Sequence, residues 1–91
     1  MQVAPDLPGA DLVRDGVRDL AAGTESTAAL LVSIGAPRLR RLGMDVPRAL
    51  AHPEHRLYLR LAETDSDSAH ARYNALVRRL VSFERALACA S

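Results

Sequence analysis

The run His52-Pro53-Glu54-His55 gathers more potential metal ligands than any other stretch of this chain. Two imidazoles three residues apart share one face of a helix, where both could turn toward one metal ion. Pro53, however, suits the first position of a helix, which leaves His52 just before it. Completing a tetrahedral set would take His70, Asp65 or Asp67, all distant in sequence. The pair therefore reads as surface histidines at a helix start, and no metal site is expected. Asp65 and Asp67 superficially suggest a calcium loop, but the glycine and closing glutamate of that loop are missing.

Covalent chemistry has no better footing. There is no G-x-S-x-G, no glycine-rich phosphate loop and no Cys/His dyad. Cys89 is the only cysteine and stands two residues from the end, a poor place for a precisely held nucleophile. It also excludes an internal disulfide. The expectation is a non-catalytic protein without catalytic residues or cofactor.

Anion binding is the remaining chemistry. All twelve basic residues are arginine and lysine is absent. The guanidinium fork suits carboxylates and phosphates and stays charged at any working pH; GC-rich coding explains the same bias without a ligand. Arg38, Arg40 and Arg41 form one cluster, and Arg78 and Arg85, seven apart, project together from one helix side. These five are the candidate contacts to an anion or nucleic acid. Residues 27–42 loosely resemble a helix-turn-helix unit, with an apolar helix, a turn at Gly35 and a basic second helix. Gly43 cuts that second helix after about six residues, short for reading bases. A nucleic-acid-binding regulator built on this unit is the alternative reading.

Net charge weakens that alternative. The chain carries +1 overall, distributed in blocks of alternating sign. Residues 1–36 and 61–68 are acidic, whereas 37–60 and 69–91 are basic. Such blocks usually neutralise one another between adjacent helices, and a near-zero total argues against strong nonspecific DNA affinity.

The elements that position these residues are helices. Alanine, leucine and arginine dominate, while isoleucine occurs once and aromatics are confined to Tyr58, Tyr73 and Phe83. Residues 1–8, with Pro5 and Pro8, read as an extended lead-in, and Pro8 could open the first helix. Ala10, Val13, Val17 and Leu20 mark its apolar stripe; Gly16 weakens it and Gly23 stops it. Thr24 is the expected N-cap of a strongly apolar central helix that Gly35 ends. Pro37 restarts a short helix over 38–42, and Pro47 opens another short turn through Ala51. Pro53 begins a helix through Glu63 with Leu57, Leu61 and Tyr58 facing inward. The polar stretch 64–68 then leads into the last helix as an antiparallel hairpin.

That last helix carries the most regular signal. Ala69, Tyr73, Leu76, Leu80, Phe83, Leu87 and Ala90 alternate spacings of four and three, a heptad period. Val77, Val81 and Ala88 widen the stripe beyond a two-stranded seam, so the helix touches several neighbours. Glu84 falls inside the apolar arc, either as an edge carboxylate reaching water or as a buried acid needing an arginine. In a parallel dimer Arg79 could meet Glu84 of the partner copy. The candidate partner or dimer interface is Tyr73, Leu76, Arg79, Leu80, Phe83, Glu84 and Leu87.

Together these observations specify an all-α, compact helical bundle over residues 9–91, with about four longer helices and one or two short ones. No signal peptide or membrane-spanning run is seen, which fits a cytoplasmic protein of bacterial type. The expected role is association, as a homodimer or with a larger protein partner.

Overall fold

The computed structural model describes residues 7–90, so most of the expected lead-in lies outside the described residues. Four helices follow in order: α1 (Ala10–Ala21), α2 (Thr27–Arg41), α3 (Pro53–Thr64) and α4 (Ala69–Ala90). No strand occurs among the described residues. The architecture is all-helical, with α2 at its centre: α1, α3 and α4 each pack on α2, and α3 also packs on α4.

Local chemistry explains the boundaries. Gly9 caps α1 from the left-handed region (φ 75°), and a Cβ there would lie 2.8 Å from the Arg79 carbonyl oxygen. Pro8 thus precedes the cap instead of opening the helix. At the other end Gly23 N–H donates to the Leu20 carbonyl and Thr24 N–H to the Asp19 carbonyl, a Schellman motif. The same pattern closes α2, where Gly43 donates to Arg40 and Met44 to Leu39.

Thr24 is therefore committed to the end of α1, and the N-cap of α2 is Ser26. Its hydroxyl accepts the Ala29 N–H at 3.0 Å and donates to Asp19 Oδ2 at 2.7 Å. The Ser26 side chain joins the end of α1 to the start of α2. Ser26→Ala is expected to cost about 1 kcal/mol, the usual worth of such a cap. A urea transition at a lower midpoint with unchanged slope would register it, and an unmoved midpoint would contradict it.

The expected stop at Gly35 and restart at Pro37 do not occur. Helix α2 runs unbroken through both residues. Pro37 is exposed, so its ring meets solvent, and the missing N–H removes one rung of the ladder, the one to Ser33. Gly35 is buried, and a Cβ there would come within 3.0 Å of Leu80 and Glu84 of α4. Packing on three neighbours outweighs the weak local propensity at these two positions.

Residues 44–52 form an irregular segment with no helix at 47–51. Met44 and Val46 are buried, and two side chains of α2 fasten the segment. Ser33 Oγ accepts the Leu50 N–H at 3.0 Å while donating to the Ala29 carbonyl at 2.8 Å. The Arg40 guanidinium donates to the carbonyls of Val46 and Pro47. His52, at φ 50°, turns the chain into α3, with Pro53 in the first turn.

The core draws Val13 and Leu20 from α1, Leu30, Leu31, Val32 and Leu39 from α2, Leu57 and Leu61 from α3, and Leu80, Phe83 and Leu87 from α4. Tyr58, expected inward, is 39% exposed, and its ring leans on Tyr73 with centroids 6.0 Å apart. Beside it Leu59 is 49% exposed.

Candidate functional site

The heptad residues of α4 separate into two groups. Leu80, Phe83 and Leu87 lie in the core of their own chain, and Glu84 is buried with them. Tyr73 and Leu76 are half-buried, and Arg79 is exposed. The expected pairing of Arg79 with Glu84 of a second copy is not supported by this placement. Arg79 reaches Asp11 of its own chain at 3.3 Å, and Glu84 faces α2. The seam that sequence periodicity assigns to a partner is filled by α2 because the apolar arc is wide enough to serve the protein's own core.

Glu84 occupies the α2–α4 crossing. Its Oε2 lies 3.0 Å from where a Gly35 Cβ would stand, so the missing side chain of Gly35 makes room for the carboxylate. Burial pushes its carboxyl above the ordinary glutamate value, and the Arg38 guanidinium, one turn beyond Gly35, pulls it back. No buried side-chain oxygen or nitrogen among the described residues lacks a partner, and Glu84 has no hydrogen bond there. The carboxylate therefore keeps an edge to water while its stem is enclosed. Both expectations for this residue, edge acid and buried acid, hold in part.

The arginines meet different fates. Arg38 serves Glu84, and Arg40 is spent on two backbone carbonyls, which ties it to the 44–50 segment. Arg41 is exposed. Since 27–41 is one helix, the turn required for a helix-turn-helix unit is absent from this segment. Arg78 and Arg85 project together from α4 with no ion-pair partner among the described residues, whereas Arg72, also exposed, lies more than about 100° round the helix from them. The only acid within α4 is Glu84, which is turned inward, so the exposed side of this helix carries Arg78 and Arg85 and no acid.

The histidines stay apart. His52 and His55 are exposed at the start of α3, whereas His70 Nε2 contacts Asn74 Nδ2 at 3.2 Å on α4. No group of three or more His, Cys, Asp or Glu comes together among the described residues. Asp65 Oδ1 accepts the Asp67 N–H at 3.1 Å, giving a turn stabilised by its own side chain. Helix α3 is held to the start of α2 by the ion pair Arg56–Glu25 and by Arg60 donating to Thr27 Oγ1.

Two concavities flank the central helix. One, of about 390 Å³, is lined by Leu20, Gly23, Thr24 and residues 48–51. The other, of about 270 Å³, runs beside α4 and is lined by Thr27, Leu61, Arg72, Ala75, Leu76 and Arg79. Its floor is apolar and arginines stand on its rim.

Sequence reasoning missed Ser33, Gly16 and Asp19 as structural residues. A serine inside an apolar helix was the available signal for Ser33, since a buried hydroxyl must find partners. No described helix is long and apolar enough to cross a membrane. The chain matches no protein-family model, no curated protein and no solved structure.

Proposed function

We propose that this chain is a non-catalytic helical association module whose working surface is the outer side of α4. The carrying observation is that this 22-residue helix buries one side only. Its other side presents Arg78 and Arg85 without an ion-pair partner and without an exposed acid within the helix. On this reading α3 and α4 act as an antiparallel hairpin, braced by α2, that holds the surface rigid. A partner would supply carboxylates to the Arg78 and Arg85 forks and close against the small exposed residues Ala71 and Ala75 on the same side. The single exposed Cys89 suits a reducing, cytoplasmic setting.

A photo-crosslinking residue introduced at Ser82, on the outer side of α4, tests the reading in cells. Adducts are expected from Ser82, with at least about fivefold fewer from the exposed control position Ala22. The double variant R78E/R85E should lower the Ser82 yield by a similar factor. A Ser82 yield no higher than the control would overturn the association reading. Adducts dissolved by nuclease would instead favour a nucleic-acid partner.

A further inference from the structure

We infer that the partner on the outer side of α4 is an acidic amphipathic helix of another protein, packed lengthwise along it. This rests on the association reading and specifies the partner's chemistry. The carrying residues are Arg78 and Arg85, which are exposed, one heptad apart and without an ion-pair partner among the described residues. They belong to a second repeat in α4. Ala71, Ala75, Arg78, Ser82, Arg85 and Cys89 alternate spacings of four and three, and all six are exposed. At about 100° per residue they occupy roughly 80° of arc, on the side opposite the core residues Leu80 and Leu87. The inner heptad builds the protein's own core, and the outer one is left in solvent.

The spacing of the arginines selects the partner's backbone. They stand about 10.5 Å apart along the axis, the rise of seven helical residues. Carboxylates seven apart on a second helix recur at the same interval, so each guanidinium can take one. On an extended strand, residues of one side recur about every 6.7 Å, and no multiple of that spacing falls at the arginine separation. Ala75, Ser82 and Cys89 hold one seam position of the outer repeat, and Arg78 and Arg85 hold the other. The small residues let a helix approach closely and accept its apolar side chains, while its acids meet the arginines. A second copy presenting the same repeat would set arginine against arginine, because no acid lies on it. The complementary helix therefore has a different sequence.

Synthetic helices added to the full chain test the inference. The probe is a labelled three-heptad peptide with leucine at one seam position and glutamate at the other, used beside its reversed sequence to cover both directions. Fluorescence anisotropy should detect binding of one of the two at about 150 mM salt. R78E/R85E should weaken that binding about tenfold or more, and so should moving the glutamates to a five-residue spacing at equal charge. Ser82→Trp, which fills the small side of the repeat, should weaken it about fivefold while circular dichroism keeps the same helix content. Failure of both peptides to bind overturns the inference, as does a respaced peptide that binds equally well or binding indifferent to R78E/R85E. If Ser82 adducts still form in cells in any of those cases, the helical partner falls and the association reading stands.

Discussion

Gly16→Ala is expected to destabilise the protein by about 2 kcal/mol, although alanine is the better helix former. Propensity alone forecasts the opposite, a gain of about 1 kcal/mol for removing glycine from a helix interior. The structure reverses that sign at the α1–α2 crossing. A Cβ on Gly16 would lie 2.4 Å from the Ala28 carbonyl oxygen and 2.4 Å from Val32 Cγ2. The valine methyl can rotate away, but the carbonyl belongs to the backbone of the central helix and cannot. The two helices must therefore separate, loosening Val13 and Leu20 against the buried face of α2. Overpacking of this sort costs about 1–3 kcal/mol, occasionally more, and here it outweighs the propensity gain. In a domain of this size the loss should lower the melting temperature by roughly 10 °C. A variant that melts at or above the parent would show that α1 can shift without loss, and the crossing would not be the constraint described.

Gly16 also marks where sequence reasoning stops. The apolar stripe Ala10, Val13, Val17, Leu20 is legible because it repeats at helical spacing, and α1 forms where it predicts. The limits of α4 at Ala69 and Ala90 are legible for the same reason. A glycine in such a stripe has two readings, weak helix former or point of close approach, and only the neighbouring element decides between them. At Gly35 and Pro37 the local rule favours a break, yet α2 continues because three other helices pack on it. Thr24 and Ser26 are both good cap residues. The choice falls to Ser26 because the Thr24 amide is already used by α1.

The candidate surface was less legible than the fold. Periodicity reports which side of α4 is apolar but not whether its own chain or another covers it. Leu80, Phe83 and Leu87 read equally well as a core wall or a dimer seam, and the structure makes them core. On the proposed reading a partner would meet the opposite side, where the signal is the position of charge: arginines at 78 and 85, and the helix's one acid turned inward. Likewise Arg38 and Arg40 look like an anion cluster in sequence and become structural side chains once α2 is continuous.

Glu84→Gln is expected to stabilise the protein at neutral pH. The amide carries no charge to desolvate, whereas Arg38, being exposed, stays in water when the carboxylate's charge is removed. The pH dependence supplies the sharper test. Burial raises the Glu84 carboxyl in the folded state above its ordinary value of 4.5, so between those two values the folded chain binds more protons than the unfolded one. Stability contributed by this group therefore falls as pH rises through that window, and it is lowest once the carboxyl is ionised in both states. The glutamine variant has no proton to lose there. Its stability should exceed the parent's at pH 7, and the difference should shrink as pH falls toward 4.5. Arg38→Ala should act in the other direction, lowering stability at pH 7 and steepening the slope, because the charge that favours ionised Glu84 is gone. Urea unfolding of the three proteins across this pH range reads all of these effects. Equal stability of parent and glutamine variant throughout would mean that Glu84 ionises as freely in the fold as in water, which its position against Gly35 and Leu80 forbids.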